Sequence, residues 1–306
     1  MSFKKRNFIN LSELNKKDII AILDRAKELK KKRNANKSAK TLKNINLAMI
    51  FEKPSTRTRV SFELAIKELG GESVILDEST THLARGETIE DTARVLDRYC
   101  QIFLIRTTNH NKLLLYNQNA KAPIINGLSN LSHPCQILSD IMSFEEKRGS
   151  IYKKKITWMG DLNNVLYSWA EASRIFKFSL FVAHPKVVKL NKSLQILDKK
   201  CKHITFTQDA DIAAKDSDCL ITDTWFSMGS KKDKLLEKHF LPYQINKNTL
   251  KAAKKNVVFM HCLPAKRGKE VTKDIIDDKK VSIVWDEAEN RLHVQKAILE
   301  WCLKKI

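Results

Sequence analysis

Leu47-Ala-Met-Ile-Phe-Glu-Lys-Pro-Ser-Thr-Arg-Thr-Arg59 decides the fold. An apolar run of strand length enters a polar turn at Lys53-Pro54-Ser55. The chain then continues into a segment where Phe62, Ala65, Ile66 and Leu69 recur at helical spacing, stopped by Gly70-Gly71. Strand, polar turn and helix in that order make the first part of a βαβ unit. Working outward, further strand-length runs fall at 74–76, 102–105, 124–125, 156–159, 180–182, 204–207, 219–222, 257–260 and 281–285. Helix-period segments lie between them. Ile19, Ile22, Leu23, Ala26 and Leu29 form a stripe behind Asn15, a fitting N-cap. Ile137, Ile141 and Phe144 form another, ending at Gly149. Strands and helices in regular alternation predict an α/β protein with largely parallel sheets.

The chain has 306 residues, enough for two domains at about 150 residues each. Gly149-Ser150 followed by Lys153-Lys154-Lys155 reads as a hinge. The expectation is therefore two doubly wound parallel-sheet domains of similar size, at 1–148 and 149–288. A last helix at 289–306 follows the final strand-like run.

Composition removes several function classes. It is 42% hydrophobic and 30% charged, and no low-complexity tract or membrane-length apolar run is present. The basic start, Met1 to Asn7, has no apolar region behind it, so it does not read as a secretory signal. A soluble, cytoplasmic protein is expected. The net charge of +21 raises the question of nucleic acid. However, only 13 of the 56 basic residues are Arg, and the lysines are dispersed along the chain. A dispersed lysine excess is solvated surface, so no nucleic-acid partner is expected. Six cysteines contain no C-x-x-C pair, which argues against a zinc ribbon or a disulfide framework. Cys100, Cys201, Cys219 and Cys302 sit in apolar surroundings and read as small buried hydrophobes. Cys135 and Cys262 stand in polar motifs. Neither G-x-G-x-x-G nor Walker A occurs.

The informative polar residues fall where strand-like runs end, the ligand-binding edge of an open α/β sheet. Ser55, Thr56, Arg57 and Thr58 gather hydroxyls, a guanidinium and free backbone N–H groups at one helix start, which suits a phosphate or carboxylate. Residues 102–105 deliver Arg106-Thr107-Thr108. His133, Pro134, Cys135 and Gln136 open a helix with Pro at its start. In the second half come Gly160-Asp161-Leu162-Asn163-Asn164, then Asp223 with Ser227-Met228-Gly229, then His261-Cys262-Leu263-Pro264. The first half thus offers a phosphate subsite. The second offers Asp223 for an ammonium, Asn164 for a carboxylate or amine, and a thiol. No metal-ligand spacing is present, so a transfer between an anion and an amine without metal or other cofactor is the natural inference.

These motifs, in this order and spacing, resemble the ornithine carbamoyltransferase family over essentially the whole chain, through Asn290-Arg291. The resemblance implies a carbamoyl-phosphate domain, an ornithine domain and a homo-oligomer, a trimer or a multiple of trimers. It also implies a final helix returning to the first domain. The reaction implied is carbamoyl transfer from carbamoyl phosphate to the side-chain amine of L-ornithine, giving citrulline and phosphate, with arginine biosynthesis as the setting. By position, Ser55, Thr56, Arg57 and Thr58 hold the phosphate, and Arg106, His133 and Gln136 surround the carbamoyl group. Pro134, Cys135 and Arg291 complete that set, while Cys262 and Leu263 meet the carbamoyl end and the incoming amine. Arg57, Arg106, His133 and Cys262 are the expected catalytic residues; Asn164, Asp223, Ser227 and Met228 are the expected ornithine ligands. One departure stands out. His82 occupies a loop position where family members often carry Gln, and His donates to phosphate more strongly when protonated. Aspartate as acceptor would call for cations around its second carboxylate, which Asp223 does not supply.

Overall fold

The computed structural model describes residues 5–37, 39–200, 202–226 and 234–306. They form two compact units: Met1–Ser139 with Glu289–Ile306, and Asp140–Ala288.

The first unit is built from α1 (Lys16–Asn34), β1 (Asn46–Phe51), α2 (Thr56–Glu68), β2 (Glu72–Asp77), α3 (Ile89–Leu96), β3 (Ile102–Arg106), α4 (His110–Asn119), β4 (Ile124–Leu128) and the start of α5 (Pro134–Arg148). Its parallel strands lie in the order β2-β1-β3-β4. The chain turns one way from β1 to β2 and the other way to β3, so the switch point lies between β1 and β3. Ligands bind at that point, beyond the carboxyl ends of the strands. β1 is buried along almost its whole length, as a strand covered on both faces must be. Ala48, Ile50, Phe103, Ile105 and Leu113 are among the core on one face. Asn15 caps α1, its side chain accepting from the Asp18 N–H. Beyond α2, Gly71 lies so close to the Ile45 carbonyl that a Cβ would come within 2.6 Å of it.

The second unit contains β5 (Lys155–Met159), α6 (Asn164–Phe176), β6 (Ser179–Ala183), α7 (Lys192–Lys200), β7 (Ile204–Thr207), α8 (Ala210–Ala214), β8 (Cys219–Thr222), α9 (Lys234–Phe240), α10 (Lys247–Ala252), β9 (Val258–His261), α11 (Lys273–Ile276) and the start of α12 (Val284–Cys302). Its parallel order is β7-β6-β5-β8-β9, with the switch point between β5 and β8. Met159, Leu220, Phe259, Val271 and Ile275 belong to its core.

The run at 281–285 is not a strand. Ser282 makes a single bridge to Phe259, and α12 begins at Val284. A run of five residues is ambiguous between strand and helix start, and here the helix takes it. The unit boundary falls inside α5, at Ser139 and Asp140, because that helix is continuous to Arg148. Gly149, the proposed hinge, follows the last turn at φ +69°. Cys100, Cys219 and Cys302 are buried thiols. Cys201 lies outside the described residues.

From Glu289 onward α12 belongs to the first unit. Buried Glu300 holds it there, accepting from Arg25 Nε at 2.6 Å and Nη2 at 2.8 Å, and from Thr41 Oγ1 at 2.5 Å. The carboxylate is fully buried, whereas Arg25 is half-buried and also donates to Glu28 at 2.7 Å, so removing Glu300 costs its charge-assisted hydrogen bonds but leaves Arg25 a partner. Glu300→Ala is expected to cost roughly 1.5–3 kcal/mol of stability; a change below about 0.5 kcal/mol in denaturant unfolding would contradict this account.

Candidate active site

In the first unit, β1 ends at Phe51 and the chain reaches Ser55, the N-cap of α2. The Ser55 side chain makes no capping hydrogen bond, so its hydroxyl stays available beside the exposed N–H groups of the first turn. Thr56 and Arg57 are exposed on that turn, whereas Thr58 is buried. Thr58 Oγ1 accepts from Arg106 Nη1 at 3.1 Å and from Arg291 Nη2 at 3.0 Å. A hydroxyl has two lone pairs and one hydrogen. Both lone pairs are engaged here, which leaves the hydrogen to donate elsewhere. Arg291 Nη1 donates to Gln136 Oε1. Gln136 and His133 come from the start of α5, and both are buried.

Burial is the largest influence on His133, and the charges of Arg291, Arg106 and Arg57 act in the same direction, holding its imidazole well below the ordinary value. The ring is therefore neutral at pH 7. Its neighbours mark the place as strongly positive, suited to an anion with more than one charge. Cys135 faces elsewhere. Its buried thiol, pushed up to about 12 chiefly by burial, donates to the Asn126 carbonyl at 3.4 Å. Pro134 supplies the helix start. His82 is exposed in a short 3-10 turn, His82–Arg85, with no hydrogen bond or ion pair described between it and the Thr58 set.

In the second unit the switch point carries Asp161 and Asp223. Gly160 precedes them at φ +128°, with Trp225 and Thr222 so close that a Cβ would crowd both. Burial first, then the charge of Asp223, raises the Asp161 carboxyl to about 6. Asp223 is fixed from three directions: Asn163 Nδ2 at 2.8 Å, the Thr224 N–H at 2.8 Å and Cys262 Sγ at 3.3 Å. Asn163 also caps α6 through its side-chain oxygen. Asn164 stands at the first position of that helix, half-buried. Burial and the Asp223 charge push the Cys262 thiol well above its ordinary value, so it remains a protonated donor. Past β9, His261 Nδ1 accepts from the Leu263 N–H at 2.8 Å, holding Leu263 at φ +57°. Such a backbone is rare outside glycine and belongs to over-determined sites. Asp223, His261 and Cys262 each offer a ligand atom within 4.8 Å of the others. The contacts described here engage all three: Asp223 accepts from Asn163, from the Thr224 N–H and from the Cys262 thiol, and His261 Nδ1 accepts from Leu263. Ser227 and Met228 lie outside the described residues.

Residues 6–146 match the family described as aspartate/ornithine carbamoyltransferase, carbamoyl-P binding domain, and residues 152–302 match its Asp/Orn binding domain. The chain belongs to the aspartate/ornithine carbamoyltransferase family. An ornithine carbamoyltransferase of Bradyrhizobium diazoefficiens is 45% identical, covering 100% of both chains. One from Rhodopseudomonas palustris is 48% identical over 97% of this chain and 96% of that one. Among solved structures, the ornithine carbamoyltransferase of Pyrococcus furiosus aligns with TM-score 0.93 at 42% identity, covering 100% of this chain and 99% of that one. That of Burkholderia thailandensis gives 0.89 at 39%, over 97% and 98%.

Within this family member, the structure brings together Thr58, Arg106, His133, Gln136 and Arg291 in one unit, and Asp223 and Cys262 in the other. Asn163 was not singled out from the sequence, although an Asn before a helical stripe is a capping signal. Nor was Asp161 assigned a role, despite standing at a strand end.

The His133 shift has a testable sign. The unfolded ring takes a proton near pH 6.5, but the folded ring stays neutral, so its contribution to stability is present above that value and is lost as pH falls below it. Nitrogen NMR, assigned with His133→Gln, is expected to show a neutral ring throughout pH 6–8; titration inside that window would contradict the assignment.

Proposed function

We propose that the protein transfers the carbamoyl group of carbamoyl phosphate to the side-chain amine of L-ornithine, giving L-citrulline and phosphate. The observation that carries this is one set in the first unit, buried Thr58, Gln136, Arg291 and neutral His133 with half-buried Arg106, on a chain that also presents the anchored Asp223 carboxylate. Full-length similarity to proteins named ornithine carbamoyltransferase supports the same choice of acceptor.

The roles follow from the chemistry. Ser55, Thr56, Arg57 and the N–H groups opening α2 bind the phosphate. Arg106, the Thr58 hydroxyl and His133 donate to the carbamoyl oxygen, and Gln136 binds the amide. As the neutral amine attacks, the N–C bond forms and the carbonyl oxygen gains negative charge. Donors already in place stabilise that charge without reorganisation, each worth about 2.7–4 kcal/mol. The C–O bond then breaks, phosphate leaves with the electron pair, and a phosphate oxygen takes the amine proton. Arg57 and Arg291 offset the charge on the leaving group. Asp223 attracts the cationic amino acid, with Asn164, Ser227 and Met228 completing its subsite. Cys262, a thiol rather than a thiolate, contacts the amine and carbamoyl end beside Leu263 and does not act as a nucleophile. His82 contributes to phosphate binding from its loop.

We extend the reading to a cytoplasmic homotrimer in arginine biosynthesis, with domains at 1–148 and 149–288 and a returning helix at 289–306. Exposed Val60 and Leu64 on α2 and Val74 on edge strand β2 supply apolar surface for a subunit contact. No helix among the described residues is long and apolar enough to cross a membrane. A relative from Campylobacter jejuni is named an anabolic ornithine carbamoyltransferase.

Citrulline formation is expected with L-ornithine and not with aspartate, putrescine or acetylornithine. Turnover of another amine would overturn the assignment of Asp223. Arg57→Ala is expected to lower kcat roughly 10²–10³-fold with the fold retained. Asp223→Asn is expected to raise the KM for ornithine roughly 10²-fold while leaving that for carbamoyl phosphate near its original value. Equal changes in both KM values would contradict two separate subsites.

A further inference from the structure

Asp140 and Glu287 are each 2% exposed, and neither has a role in the reaction above. Asp140 is the first residue of the second unit and Glu287 the last but one. Their side chains are hydrogen-bonded to each other. Two ionised carboxylates have no hydrogen to place between them, so this contact exists only when the pair holds one proton. Glu287 Oε2 also accepts from the His261 N–H at 3.0 Å, at the last residue of β9. From there the Leu263 N–H bonds to His261 Nδ1, and the Cys262 thiol bonds to Asp223.

We propose that Asp140 and Glu287 share one proton and are positioning residues for the His261–Leu263 segment. Neither touches substrate. Glu287 fixes the end of β9 through a backbone N–H, and the proton shared with Asp140 allows both carboxyls to stay buried against it.

The groups around the pair reinforce this. Asp286 adjoins Glu287 on α12 and adds negative charge, although its own carboxylate is paired with Lys147 at 2.8 Å. The Cys219 thiol on β8 and the Cys262 thiol are pushed up by burial and by both carboxyls, with Asp218 acting on Cys219 and Asp223 on Cys262. Arg148 acts on Cys219 in the opposite sense. The His261 ring faces buried Glu270, 3.4 Å away, rather than the pair. Burial, then Asp140, raises the Glu287 carboxyl well above its ordinary value. An acid raised by folding is least costly below the carboxyl's ordinary value, and stability falls as pH climbs from there toward the folded value.

Gln at 287 offers the same acceptor to His261 and donates an N–H to an ionised Asp140, so it reproduces the shared proton without a titration. In the full chain, Glu287→Gln is expected to keep kcat within about threefold of the parent and to flatten its stability from pH 5 to pH 9. Glu287→Ala is expected to lower kcat roughly 10²-fold by displacing the segment. The activity arm rests on the carbamoyl-transfer reading; an infrared arm does not. The parent's spectrum at pH 7 is expected to contain a protonated-carboxyl stretching band that disappears from Glu287→Gln and from Asp140→Asn. Absence of that band from the difference spectra would overturn the shared proton. Glu287→Gln as impaired as Glu287→Ala, or Glu287→Ala with parental kcat, would overturn the positioning role. If Glu287→Ala does not fold, Glu287→Gln decides alone: parental kcat supports the role, and a tenfold or larger loss overturns it. A parent chain that makes no citrulline would overturn the function while the infrared result still decided the proton.

Discussion

Thr58 Oγ1 accepts from two guanidinium groups, one on β3 and one on α12. The first unit's site depends on this contact. It brings together residues separated by 48 and 233 positions, and it uses both lone pairs of a hydroxyl whose hydrogen is then directed by default. A charge-assisted bond is roughly twice as strong as a neutral one, so two of them fix a small side chain firmly. Arg291 extends the arrangement to Gln136. The returning helix is therefore part of the site as well as part of the packing, and Glu300 near its far end keeps it in place.

The sheets determine where such a site can form. In each unit the strand order reverses next to the first strand. Ser55, Thr56, Arg57, Thr58 and Arg106 in one unit, and Asn164 and Asp223 in the other, leave the strands beside that reversal, while His133, Gln136 and Cys262 follow the edge strands β4 and β9. The two places differ in sign. In the first unit, burial first and then three guanidinium groups hold His133 neutral, and those guanidinium groups fit an anion. In the second, Asp223 and Asp161 oppose each other, and burial keeps one of them protonated to about pH 6. One half suits a phosphate and the other an ammonium, the two charges that a carbamoyl donor and a cationic amino acid bring.

Much of this was legible in the sequence, for local reasons. Strand runs and helical stripes are local patterns, and nine of the runs lie within a few residues of the strands observed. The run at 281–285 failed because five apolar residues satisfy a strand and a helix start equally, and nothing local separates the two. Ser55 to Thr58, Arg106 and His133 could be read because each follows a strand-like run. Arg291 came only from family resemblance: no local pattern connects a residue inside a C-terminal helix to a phosphate site. Asp140 and Glu287 were invisible for the same reason. Each looks like an ordinary charged helical residue, and only folding reveals that they meet in the absence of water.

The central claim is that the anion site of the first unit carries the transfer, with Thr58 orienting its donors. Steady-state kinetics of Thr58→Val test it most directly, since valine keeps the shape and removes both acceptor and donor. The account predicts that kcat/KM for carbamoyl phosphate falls on the order of 10²-fold or more while the chain stays folded. A folded Thr58→Val enzyme with near-parental kcat/KM would contradict it.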